Sequence, residues 1–105
     1  MAAKTSRSPA RPPSHPGSIL REIVLPESRM AVSKAAERLG VTRQTLHRLL
    51  AEDIGVSPAM ALRLSRLFGS TPDFWLRMQQ SYDLWHAARL LGPELKKIMP
   101  LGRAA

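Results

Sequence analysis

Gln44 and Arg48 stand one helical turn apart in the run Val41-Thr42-Arg43-Gln44-Thr45-Leu46-His47-Arg48-Leu49-Leu50. At 3.6 residues per turn, a primary amide and a guanidinium at this spacing share one side of a helix. Both groups are planar and two-pronged. The amide matches the edge of an adenine and the guanidinium that of a guanine. His47 and Ala51 flank this pair, and Arg43 and Thr45 sit at its edges. Thr42 precedes the first helical residue. Its hydroxyl can cap the helix and, with the helix-start amides, fits a phosphate.

Such a strip must be held rigid from behind. Leu46, Leu49 and Leu50 fall at i, i+3 and i+4, so they form the opposite, buried face. Ahead of them, Val32 to Leu39 reads as a first short helix capped by Ser33, with Ala35, Ala36 and Leu39 as its apolar side. Gly40 stops it, because glycine takes a left-handed backbone without steric cost. Val41 fills the angle between the two helices. Any one of these residues would also suit an ordinary helical hairpin with a solvated polar face. In combination, the spacing of Ala36, Gly40, Val41, Leu46 and Leu49 resembles the helix-turn-helix DNA-binding motif. The DNA-binding set read from it is Thr42, Arg43, Gln44, Thr45, His47 and Arg48, with Ser33 at the start of the first helix.

Length and charge bound what surrounds the motif. One hundred and five residues fit one domain with a small core. The formal net charge is +8. The basic residues Lys4, Arg7, Arg11, Lys96, Lys97 and Arg103 outweigh Glu94 in the two tails, which supply five of the eight charges. That excess favours a polyanionic partner. The absence of cysteine excludes disulfides and thiolate metal sites. No apolar run approaches the roughly 20 residues needed to cross a bilayer, so no membrane role is expected. The polar, proline-rich start lacks the apolar core of a signal peptide.

Residues 1–14 carry Pro, Ala, Ser and basic residues and read as a disordered basic tail. The folded domain is expected over 15–91. Ile19, Leu20, Ile23 and Val24 give a first helix near 18–25, which Pro26 should end. Met30 turns inward after it, and the Gln44–Arg48 helix should fray around Glu52–Gly55. Ser57-Pro58 opens a fourth helix carrying Ala59, Met60, Leu62, Leu64, Leu67 and Phe68, stopped by Gly69, with Arg63 and Arg66 on its open side. Thr71-Pro72-Asp73 opens a fifth, running to about Leu91. Phe74, Met78, Tyr82 and Trp85 follow one of its faces, with Trp75 and Leu76 beside them. Four of the five aromatic residues lie here, more than so small a domain is expected to bury, so part of this face should meet a second subunit. Gly92-Pro93 should break the chain, leaving 92–105 as an extension in which Leu95, Ile98 and Met99 make a short helical turn. Tyr82, Trp85, Leu91 and Leu95 are the expected dimer interface. The fold class is all-α, a five-helix domain.

With these segments placed, the chain resembles the HigA family of antitoxins. HPGSIL, GVTRQTLHRLL, SPAMALRLSRLFG and STPDFWLRMQQSYDLW carry the resemblance, over about residues 15–90. Pro58, Gly69, Phe74, Trp75, Leu76, Gln79, Tyr82 and Trp85 match position by position. The resemblance implies the repressor-like (lambda-repressor-type) helix-turn-helix fold. It also implies a homodimer on a palindromic double-stranded operator, repression of its own operon, and neutralisation of a HigB-type, mRNA-cleaving toxin in the bacterial cytoplasm, where operator binding would associate it with the nucleoid. The same DNA chemistry would serve a stand-alone or phage-type repressor without a toxin, and TPDFWLRMQQSYDLW is what separates the two. An inhibitor acting mainly through protein contacts is a third reading. An enzyme is not expected. His15, His47 and His86 are scattered, Glu52-Asp53 is the lone adjacent acidic pair, and there is no glycine-rich phosphate loop. No metal or cofactor is implied.

Overall fold

Residues 11–102 are described by a computed structural model. Residues 1–10 and 103–105 lie outside it, and with them most of the expected basic tail. The described residues form five helices and no strand. Helix α1 covers 16–28, α2 Val32–Leu39, α3 Arg43–Leu50, α4 Pro58–Phe68 and α5 Pro72–Leu95.

Proline at the first helical position opens three of them. Pro16, Pro58 and Pro72 follow His15, Ser57 and Thr71, and each of those side chains accepts a backbone N–H of the first turn. Helix α2 departs from the expected capping. Its N-cap is Ala31, which offers no side chain, and Ser33 is already the second helical residue.

Pro26 does not end α1. Leu20–Val24 is a π turn, in which the Leu25 N–H reaches back to the Leu20 carbonyl. In a regular α-helix the Pro26 ring would press on the Glu22 carbonyl. The wider turn just ahead of it gives the ring room, and the helix runs on to Ser28. Arg29, in the left-handed region at φ 54°, stops it, with the Met30 N–H on the Leu25 carbonyl.

The core joins Leu20 and Leu25 of α1, Ala35, Ala36 and Leu39 of α2, Leu46, Leu49 and Leu50 of α3, Val56, Met60, Ala61 and Leu64 around α4, and Trp75 of α5. Alanines at 35, 36 and 61 let the helix backbones approach closely. Met30 and Val41 pack against this core as the sequence implied. Trp75 is almost fully buried, and its indole N–H donates to Ser70 Oγ (2.7 Å).

The register of α5 differs from the aromatic stripe expected. Trp75, Gln79 and Tyr82 face the domain, whereas Phe74 is 47% exposed. At the second turn an amide, Gln79, is buried where Met78 was expected, and Met78 packs at the core's edge. Gln79 Oε1 accepts the Val56 N–H (2.9 Å) and its Nε2 donates to Asp83 (3.0 Å), so burial leaves neither atom unpaired. Nor does Gly92-Pro93 break the chain, since α5 continues to Leu95. The carbonyl that Pro93 leaves without an N–H belongs to exposed Arg89, where water can satisfy it. Past Leu95, Lys97 and Ile98 close single turns on Glu94 and Leu95, and the side chains of Leu95, Ile98 and Met99 stay exposed.

Candidate nucleic-acid interface

Helix α3 presents Arg43, Gln44, His47 and Arg48 to solvent, with Thr42 exposed at its start and Thr45 half-buried. Beneath them Leu46, Leu49 and Leu50 are buried. No carboxylate stands on this face of α3. Thr42 caps the helix: its Oγ1 accepts the Thr45 N–H (3.0 Å), while its hydroxyl donates to Thr45 Oγ1 (2.9 Å). The two threonine hydroxyls are thereby paired across the first turn, beside the amides of Arg43 and Gln44. Ser33 is exposed on the second position of α2.

Both helices of the unit are closed by the same device. At the end of α2, Gly40 is left-handed at φ 77°, and Val41 N–H bonds the Ala36 carbonyl (3.0 Å). Arg63 of α4 donates to the Leu39 carbonyl (2.7 Å) and the Gly40 carbonyl (3.3 Å). At the end of α3, Glu52 is left-handed at φ 66°, and Asp53 N–H bonds the Arg48 carbonyl (2.9 Å). Arg21 of α1 donates to the Leu50 carbonyl (2.6 Å) and contacts Glu52 (3.4 Å) and Glu22 (2.9 Å). The end of α3 is therefore a closed turn where fraying was expected. A guanidinium at a helix C-terminus also complements its partial negative charge.

The start of α1 seats the end of α3. Gly17 lies against the Leu49 carbonyl so closely that a Cβ would collide with it. His15 holds this glycine in place. Its Nδ1 accepts the Gly17 N–H (2.9 Å), and Tyr82 packs edge-on at 4.8 Å. Burial holds its pKa below the ordinary 6.5, against the opposing pull of Glu52 and Asp83, while Arg21 adds to the lowering. The imidazole is thus a neutral cap. Sequence reasoning did not assign roles to Arg21, Arg63, His15 or Gln79. The one signal available was His15 directly before a proline, the position a capping residue takes. Among the described residues there is no group of His, Asp or Glu able to hold a metal.

A family model described as helix-turn-helix matches residues 20–75, more than half of the chain. Antitoxin HigA-1 of Vibrio cholerae is 32% identical over 95 residues, covering 90% of each chain. Among solved structures, the Pseudomonas aeruginosa antitoxin HigA with the higBA promoter superposes with a TM-score of 0.80 at 36% identity, over 85% of this chain and 98% of that one. Antitoxin GraA in complex with its operator gives 0.82 at 39% identity, over 92% and 98%. This is a helix-turn-helix DNA-binding protein. It belongs to the HigA family of such proteins.

Proposed function

We propose that the protein is the antitoxin of a type II toxin–antitoxin pair: a homodimer that binds a palindromic operator, represses its own operon and neutralises a HigB-type mRNA-cleaving toxin in the bacterial cytoplasm. The observation that carries this reading is the α3 strip, where an exposed amide and guanidinium one turn apart stand on three buried leucines with no carboxylate among them. Relatives solved with a promoter and with an operator support it.

In this reading Gln44 and Arg48 make the base contacts, each good bidentate pair contributing about 1–3 kcal/mol of discrimination. Arg43, Thr42 and the helix-start amides hold phosphates, with Thr45 paired to Thr42 beside them. His47 flanks the base-reading pair, and Ser33 meets the backbone from α2. Dimerisation uses the outer half of α5, where Leu84, Ala88, Leu91 and Leu95 form one exposed stripe. Trp85 borders that stripe, with Arg89 stacked on its ring at 4.5 Å. Tyr82, expected at the interface, is half-buried against His15 of its own chain and contributes only its edge. Two such subunits place their α3 helices in successive major grooves about 34 Å apart, so the operator is an inverted repeat.

Gel shifts on the operator and on random duplex test this. Arg48→Ala should weaken operator binding by about 10–100-fold and random-sequence binding far less. Equal losses on both duplexes would refute the base-reading role.

A further inference from the structure

A cleft between α2 and α4 takes no part in the α3 strip. Arg38 and Leu39 of α2 and Leu62, Arg63, Arg66 and Leu67 of α4 line it, around about 590 Å3. Its composition is one-sided, with three guanidiniums, three leucines and no carboxylate. Arg63 is fixed by the Leu39 and Gly40 carbonyls. Arg38 and Arg66 are exposed and make no hydrogen bond or ion pair among the described residues. Between them Leu62 is 60% exposed, on a helix whose Met60, Ala61 and Leu64 are buried. Leu62 and Arg66 are one turn apart and so line the same edge of α4.

Water solvates a lone arginine well, and a leucine poorly. A leucine held between two unengaged guanidiniums on a fixed third one fits a partner that brings carboxylates and an apolar side chain together. Arginine is enriched at protein interfaces and complementary charge sets their register. A DNA backbone would satisfy the arginines but has nothing to set on Leu62.

We propose that this cleft docks an acidic segment of the toxin, an apolar side chain lying on Leu62 with carboxylates on Arg38 and Arg66. The inference rests on the antitoxin reading above. It separates the two partners spatially, since DNA takes the outer face of α3 and toxin the α2–α4 cleft.

Titration calorimetry of the full chain tests it, with two probes: a catalytically silenced HigB-type toxin encoded beside this chain's own gene, where sequencing of that neighbourhood finds one, and an operator duplex. Arg66→Glu and Leu62→Asp both alter exposed side chains. Each should weaken toxin binding at least 30-fold while operator affinity stays within about twofold, which also reports that the fold is intact. Arg38→Gln, a smaller change in the last turn of α2, should act in the same direction. Toxin affinity within threefold of wild type in all three variants overturns the cleft and leaves the antitoxin reading standing. Operator affinity falling in step with toxin affinity makes the cleft a phosphate-binding surface. A wild-type chain that does not bind the toxin refutes both readings at once.

Discussion

The two ends of the helix-turn-helix unit solve one problem with different residues. Each helix stops in a left-handed residue, and each receives an arginine from a neighbouring helix on its last carbonyls. At the end of α2 the left-handed residue is Gly40. At the end of α3 it is Glu52. The difference follows from where the arginine lies. Arg63 passes over Gly40 itself, with Nη1 2.7 Å from where a Cβ would be, so a side chain there would push the guanidinium off its carbonyls. Arg21 comes to α3 from the side and leaves room for a side chain at 52. That side chain is a carboxylate within 3.4 Å of the guanidinium. Glycine is thus favoured at one end by its left-handed backbone and by the guanidinium lying over it, whereas at the other the backbone strain is tolerated and offset by a charge contact.

The largest test acts on the support that only the α3 end possesses. Gly17→Ala should drive a methyl into the Leu49 carbonyl, separating α1 from α3 and costing about 3 kcal/mol in urea unfolding. If the cost is below about 1 kcal/mol, α1 does not fix that end. Next, Gly40→Ala places a Cβ at φ 77° and evicts the Arg63 guanidinium. About 2 kcal/mol should be lost, and Arg63→Met on top of it should add little, because the two share one contact.

The third test distinguishes the ends by pH. His15 supports the α3 end through Gly17, and no such imidazole stands at the end of α2. Its folded pKa lies below the unfolded value of about 6.5. Above that value both states are neutral and it contributes no pH dependence. Below it the unfolded chain binds a proton that the folded chain resists, so stability falls as pH falls, down to the folded pKa. Glu52 and Asp83 limit the fall and Arg21 adds to it. Amide protection factors, corrected for the intrinsic exchange rate at each pH, should therefore fall between pH 7 and pH 5 in the last turn of α3 and the 51–56 turn more than in α2. Equal change in both, or protection that increases on acidification, contradicts this. The smallest effect is expected of Glu52→Gly. Relief of the left-handed strain, loss of the Arg21 contact and added freedom in the unfolded chain should leave stability within about 0.5 kcal/mol of wild type. A loss above about 1.5 kcal/mol would mean that the carboxylate itself holds the turn.

The same contrast decides how much of the molecule is legible in its sequence. The α3 strip was legible because local rules act alone there: a 3.6-residue leucine period, a threonine cap, and a glycine that marks its own turn. The glycine-free stops at Arg29 and Glu52 carry no such mark: one is closed by local backbone bonds to Pro26 and Leu25, the other by an arginine from α1. Pro26 and Pro93 were read as breaks by the rule for a regular, buried helix. One sits behind a π turn, and the other lies where solvent can replace the missing bond. On α5 the expected stripe was one residue out of step. Gln79 lies outside that stripe, and nothing local shows that the Val56 amide and Asp83 satisfy it. The roles of Arg21 and Arg63 were invisible for a related reason. An exposed arginine on a helix looks the same whether it faces water or a neighbour's carbonyl.

The wide turn in α1 has a consequence for how the chain can vary in length. Leu20 and Leu25 are five positions apart, yet both are buried in the core, an alignment a regular helix gives to residues spaced by four. Dropping one residue between them would turn this stretch into plain α-helix and keep both leucines inward. The ring now at position 26 would then meet a closed turn, so chain length here and the presence of that proline can change only together.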